Sequence, residues 1–318
     1  MIGLGAAVLL LAGAAGSSAV PQRIADCAAS GEYRSGGARV QLAFDAAQFS
    51  LPPQRLCAWS MAAADAVSAY FGRFPVSMVR VELRPMERDG VDGGTTYGQT
   101  DVGPLIRIRL GRRTAPQALD RDWVMTHEMV HLAVPGVPDD SHWLEEGIAT
   151  YVEPVARAQA GQLDPRQVWA DMLHDMRKGL PAAGDEGLDR THTWGRTYWG
   201  GALFCLLADV EIHRRSHNRM GLREALRGVL AAGGNIQADW PVPRVLDAAD
   251  RAVGLQVLSG LYQRLGFAAG PQPAELERLW KDLGVAADGD GVRLLDDAPL
   301  AAVRQAITAG NQSANERQ

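Results

Sequence analysis

The sequence predicts an α+β protein in which a small mixed sheet and its helices come first and a helical half follows. Three observations carry that expectation. Apolar and polar residues alternate over 38–45, 77–84 and 104–110, the period of a strand. Between the first two, Leu56, Met61, Ala64, Val67 and Phe71 form one apolar stripe at helical spacing over residues 54–74. Beyond Glu153 nearly every segment has the helical period, with Pro, Gly and Asp clusters as punctuation. A chain of 318 residues, 47% of them hydrophobic, can bury a sizeable core in one large two-lobed domain or two ordinary ones.

Taken in order, residues 1–19 carry no charge, are rich in Ala, Leu, Gly and Val, and end in Ser17, Ser18 and Ala19, a small-residue cleavage pattern. They read as a signal peptide or, since the length nearly suffices to span a bilayer, as an N-terminal anchor. The expected location is therefore exported, periplasmic or secreted, with anchoring as the alternative. ARVQLAFD at 38–45 and SMVRVELR at 77–84 are strands, and residues 85–103, rich in Gly, Asp and Thr, are expected to be a loop. PLIRIRL at 104–110 sets Ile106, Ile108 and Leu110 on one face and Arg107 and Arg109 on the other, a half-exposed strand. Helices are expected at 165–177, 194–217, 222–230, 245–266, 274–283 and 298–308. The division that follows is a mixed α/β lobe over 20–135, a helical lobe over 136–309 and a polar, disordered tail over 310–318.

The net charge of −5 is modest, and basic residues are interspersed with acidic ones. No nucleic-acid partner is expected, and no membrane contact beyond the N-terminal segment. Lys178 and Lys281 are the only lysines, a compositional bias and not a functional signal. Cys27, Cys57 and Cys205 lack metal-site spacing. An oxidising compartment would permit a Cys27 to Cys57 disulfide with Cys205 a buried free thiol, and three unpaired thiols are the equal alternative.

Chemistry concentrates between Asp122 and Glu153. In HEMVH, His127 and His131 stand four residues apart with Glu128 beside the first. On a helix, positions i and i+4 point to nearly the same side, so both imidazoles can bind one metal ion while the carboxylate reaches a water on it. Trp123, Val124 and Val134 fall on the histidine side, and Ala118, Met125, Met129 and Leu132 on the other, so this helix should be buried all round. Pro135 and Gly136 stop it. A second helix begins near Ser141, with Leu144, Ile148, Tyr151 and Val152 on one face and Glu146, Thr150 and Glu153 on the other. Glu145 and Glu146 lie about 100° apart on the wheel, so only one can be a third ligand.

HEMVH followed by WLEEGIATYVE resembles the gluzincin zinc metallopeptidases, in particular the catalytic domain of the alanyl and glycyl aminopeptidase families. The resemblance implies a thermolysin-like catalytic domain and one zinc ion held by His127, His131 and Glu146, the Glu that directly precedes Gly147. It makes Glu128 the general base and acid. TYWGGALFCLLADVEIHRR is similar to the family helix that bears its transition-state tyrosine, which falls on Tyr198, although Gly200 replaces the usual Lys. The strand at 104–110 corresponds to the family's edge strand, where an extended peptide can add itself. GGTTYG, residues 93–98, stands where those aminopeptidases carry the glutamate that holds a free amino terminus, and contains no acidic residue. The implied activity is hydrolysis of a peptide or protein substrate, within the chain or on an unusual substrate rather than at free amino termini. The alternatives are a catalytically silent binding or envelope protein on the gluzincin scaffold, or zinc hydrolysis of a non-peptide substrate. Two further residues are candidates near the metal. His142, four before Glu146, could face metal or substrate, and Glu153, two turns after Glu146, could orient a ligand histidine through its free ring nitrogen.

Overall fold

The computed structural model describes residues 19–289 and 291–310. All but the last residue of the predicted signal peptide or anchor, and all but the first of the predicted tail, lie outside them. Helix α1 (Ala19–Ser30) leads into β1 (Glu32–Ser35) and β2 (Ala38–Ala43). Then come α2 (Pro53–Phe71), β3 (Met78–Met86), β4 (Val91–Tyr97) and β5 (Leu105–Gly111). The five strands form one mixed sheet in the order β1-β2-β3-β5-β4; β2, β3 and β5 run parallel, and β1 and β4 are antiparallel to their neighbours. Val40, Leu42, Val79, Val81, Ile106, Ile108 and Leu110 are buried on one face. The other face carries the arginines, of which Arg80, Arg84 and Arg107 all pair with Glu82.

Two expectations fail here. The supposed loop contains strand β4, and β4 rather than β5 is the sheet edge. Glycines and aspartate in Val91–Tyr97 mask the alternation. The chain then reverses through residues 98–104 and lays β5 between β3 and β4, so the arginine-bearing strand is interior.

Next are the short α3 (Pro116–Asp120), α4 (Val124–His131) and α5 (Trp143–Gln159). The predicted single helix through residue 118 is broken before Val124. The Asp122 carboxylate accepts the backbone N–H groups of Val124 and Met125 and the Trp59 indole N–H, which starts a new helix at that point. The new start also leaves Trp123 outside the core at 53% exposure, contrary to the all-buried expectation.

Beyond α5 follow α6 (Pro165–Asp175), a π-helical turn at Gly195–Gly200, α7 (Gly201–Ser216), α8 (Leu222–Ala231), α9 (Val242–Val253), α10 (Leu258–Leu265), α11 (Pro273–Leu283) and α12 (Ala301–Thr308). The single helix expected over 245–266 is two, because Gly254 adopts a left-handed conformation (φ 66°) that ends α9. A hairpin, β6 (Val285–Asp288) with β7 (Gly291–Leu294), was not foreseen, its strands being too short to show a period. No helix among the described residues is long and apolar enough to cross a membrane.

Cys27 and Cys57 form a disulfide that ties α1 to α2, and Cys205 is a buried free thiol. With the half-cystines 30 positions apart in sequence, loop-closure entropy gives the crosslink about 3 to 4 kcal/mol of stability. Urea unfolding with and without a reductant should differ by that amount; coincident midpoints would show that the bridge does not constrain the unfolded chain.

Candidate active site

Helix α4 lies under the free edge strand β4, and α5 packs against α4. After His131 the chain tightens through a last turn, and Gly136 is pinned by Trp240 N–H, which donates to its carbonyl, and by its own N–H, which donates to Ala238. The loop is closed by Glu145, whose Oε1 accepts the Val137 N–H at 2.9 Å. Glu145 is thereby committed to the loop, and Glu146 turns toward the histidines. Its Oε2 lies 3.2 Å from His127 Nε2 and 3.6 Å from His131 Nε2, and the two Nε2 atoms are 3.3 Å apart. These three residues are a group that could hold one metal ion, their ligand atoms all lying within 4.8 Å of one another. Two imidazoles and one carboxylate suit a borderline-soft divalent ion with an open position.

The electrostatics fit such a cation. Burial alone would raise Glu146, but the close imidazoles of His127, His131 and His142 hold its carboxyl far below the usual range. Burial lowers His127, against the pull of Glu146. Burial would lower His131, but the nearby Glu146 carboxylate outweighs it and raises it. Three buried or half-buried imidazoles on one anion are thus competing for a charge that a metal would satisfy. His127 Nδ1 has no hydrogen-bond partner among the described residues. Glu153 does not supply one: its Oε1 accepts from Arg157 Nη1 at 2.8 Å, and burial pushes its carboxyl up to about 7. The proposed orientation of a ligand histidine by Glu153 is therefore corrected to an ion pair one turn along α5. His142 does approach: Nε2 lies 3.2 Å from Glu146 Oε1 and Nδ1 2.8 Å from Glu145 Oε2, and these two carboxylates, Glu145 first, push it up to about 10.

Glu128 sits beside the triad against β4. A Cβ on Gly94 would stand 2.4 Å from Glu128 Cγ, so only glycine lets the edge strand come this close. Thr96 Oγ1 lies 2.7 Å from Glu128 Oε2 and 2.9 Å from its carbonyl oxygen, and donates to one of them at a time. Gly94 and Thr96 are not singled out by the sequence, whose Gly, Asp and Thr content there predicts a loop; two β-branched residues before Tyr97 are the available signal.

Tyr198 reaches the same cleft from the π-helical turn, a local widening that is frequent at functional sites. Its ring lies near that of His127, centroid to centroid 6.5 Å, and burial with the Glu146 charge pushes its phenol up to about 12, so it stays protonated and can donate. Its placement follows from a glycine contact between α5 and α7. A Cβ on Gly147 would lie 2.4 Å from Gly201 Cα, so the backbones after Glu146 and after Tyr198 touch. Arg196, paired with Asp185 at 2.8 Å, fixes the turn from behind. All five main candidates, His127, Glu128, His131, Glu146 and Tyr198, line one cavity of about 410 Å³, with His142 at its rim.

No protein-family model matches the sequence, and no curated protein does either. Solved structures are similar to it, one of them at a level that shows the fold. The aminopeptidase N family protein of Idiomarina loihiensis aligns with a TM-score of 0.58 at 14% identity, over 80% of this chain and 49% of that one. The M1 zinc metallopeptidase of Deinococcus radiodurans aligns at 17% identity and a TM-score of 0.44, over 74% of this chain and 50% of that one. The chain thus spans about half the length of these structures. What it shares with the first of them is its fold, here a mixed α/β domain with a five-stranded mixed sheet and many helices.

Proposed function

We propose that the chain is a zinc-dependent metallopeptidase of gluzincin type that hydrolyses peptide bonds. The observation that carries this is the convergence of His127, His131 and Glu146 with a separate carboxylate, Glu128, and a protonated phenol, Tyr198, in one cleft. His127, His131 and Glu146 would hold the ion; bound there, it supplies Lewis acidity that polarises a carbonyl and acidifies water. Glu128 accepts a proton from the attacking water and passes it to the leaving amine. Tyr198 donates a hydrogen bond to the oxygen on which negative charge develops. The free edge of β4 offers backbone groups on which an extended substrate aligns as an added strand. Residues 93–96 bring no carboxylate to the cleft, which supports action within a chain rather than at a free amino terminus.

In this reading residues 20–135 and 136–309 are the two lobes of a thermolysin-like domain, with the cleft between β4 and the helices that follow. The disulfide supports export to an oxidising compartment, in keeping with the N-terminal apolar segment. The test is the metal content of the purified protein together with cleavage of casein-like chains and free-amino-terminal reporters. One equivalent of zinc and cleavage of amino-blocked chains are expected. Absence of metal would refute the proposal, and activity confined to aminoacyl reporters would refute the internal-cleavage part of it.

A further inference from the structure

A second cavity, of about 630 Å³, adjoins the catalytic one and shares Trp123, His127 and Tyr198 with it. It runs between α5, α6 and the π-helical turn. Trp123 and Trp194 are 53% and 62% exposed, two of the few large apolar side chains left open among the described residues, and both border this cavity. Trp194 stacks on Tyr198 with centroids 5.7 Å apart, and the Trp123 ring meets His127 edge-on at 5.3 Å. The two indoles therefore flank the point where the cavity meets the catalytic groups. Trp199 adds a third indole.

Most of the charges inside are paired, while Asp171 accepts a hydrogen bond from Gln167. Glu153 and Arg157, both buried, bind each other, and Lys178 lies 2.6 Å from Asp175 while its ammonium rests over the rings of Trp194 and Trp199. What the cavity presents is aromatic surface with a polar floor. Leaving indoles in water is costly unless a ligand covers them, and aromatic rings gain further from edge-to-face and offset contacts.

From this we infer that the cavity is a specificity pocket that takes a bulky aromatic side chain of the substrate, next to the bond being cut, with Trp194 and Trp123 as its walls. That the ligand is a peptide side chain rests on the peptidase reading; the preference for an aromatic ring rests on the cavity itself. The volume exceeds that of one aromatic side chain, so the pocket accepts tryptophan as readily as phenylalanine.

The test needs no hydrolysis. Binding of N-acetyl-4-fluorophenylalanine amide to the full chain is followed by ¹⁹F NMR, with N-acetylleucine amide and N-acetyllysine amide as competitors. The fluorinated amide is expected to bind at least about tenfold more tightly than either competitor. Trp194→Ala should weaken it about tenfold and Trp194→Phe should restore most of the affinity; Trp123→Ala should weaken it independently, each variant keeping its thermal midpoint. Equal binding of the three amides, unchanged affinity in Trp194→Ala, or no binding at 10 mM on the order expected for a fragment would overturn the inference. Should binding follow this pattern in a protein that cuts no peptide, the peptidase reading would fall and the aromatic pocket would stand.

Discussion

Glu128→Gln is expected to lower the rate of peptide hydrolysis by about a thousandfold or more while the metal content stays the same. The reasoning is geometric. The carboxylate is held on one side by Thr96, 2.7 Å from Oε2, and is pressed by the glycine surface of β4, so its free oxygen is left for the cleft. An amide has the same shape and can keep its contact with Thr96, but it accepts no proton from water. Because Glu128 is not one of the three residues that could hold the ion, stoichiometric metal should remain. Kinetics and metal analysis on the same preparation therefore separate chemistry from folding. Residual activity within a few fold of the parent would mean that another group takes the proton, and Glu145 would be the first to examine.

The centre of this site was legible because helical periodicity is a local property. HEMVH places two imidazoles on one side of a helix whatever the rest of the chain does, and the structure brings their Nε2 atoms within 3.3 Å. The approach of Glu146 was legible only in part, since it needs the turn between two helices, and that turn is set by residues far along the chain. Gly136 is anchored by Ala238 and Trp240, which no local pattern links to it. The same limit explains β4. Gly94 is there to let Glu128 approach, so a feature that matters at the site helped erase the strand signal in the sequence. Glu153 shows the converse failure: its helical phase is right for the histidines, but Arg157, one turn on, is nearer and takes the carboxylate.

Of the two adjacent glutamates, helical phase says only that one of them can serve, and their exchange makes the sharpest test of the geometry. Glu146→Ala is expected to weaken metal binding by about a thousandfold, since a metal bound through protein side chains is worth on the order of 10 kcal/mol or more and one of three ligands would be gone. Glu145→Ala should leave the affinity within about tenfold, the range of a supporting contact. Its oxygens face the Val137 N–H and His142 Nδ1, so its loss loosens the loop between α4 and α5 and frees His142 to rest on Glu146 alone. Competition with a chromophoric chelator reads both variants on one scale. If Glu145→Ala lost the metal and Glu146→Ala kept it, α5 would have to be rotated by one residue from the position described, and Thr150, Glu153 and the glycine contact with α7 would move with it. The contact between Gly147 and Gly201 argues against that rotation, because turning α5 by 100° would drive the Glu146 or Ile148 side chain into the backbone of α7.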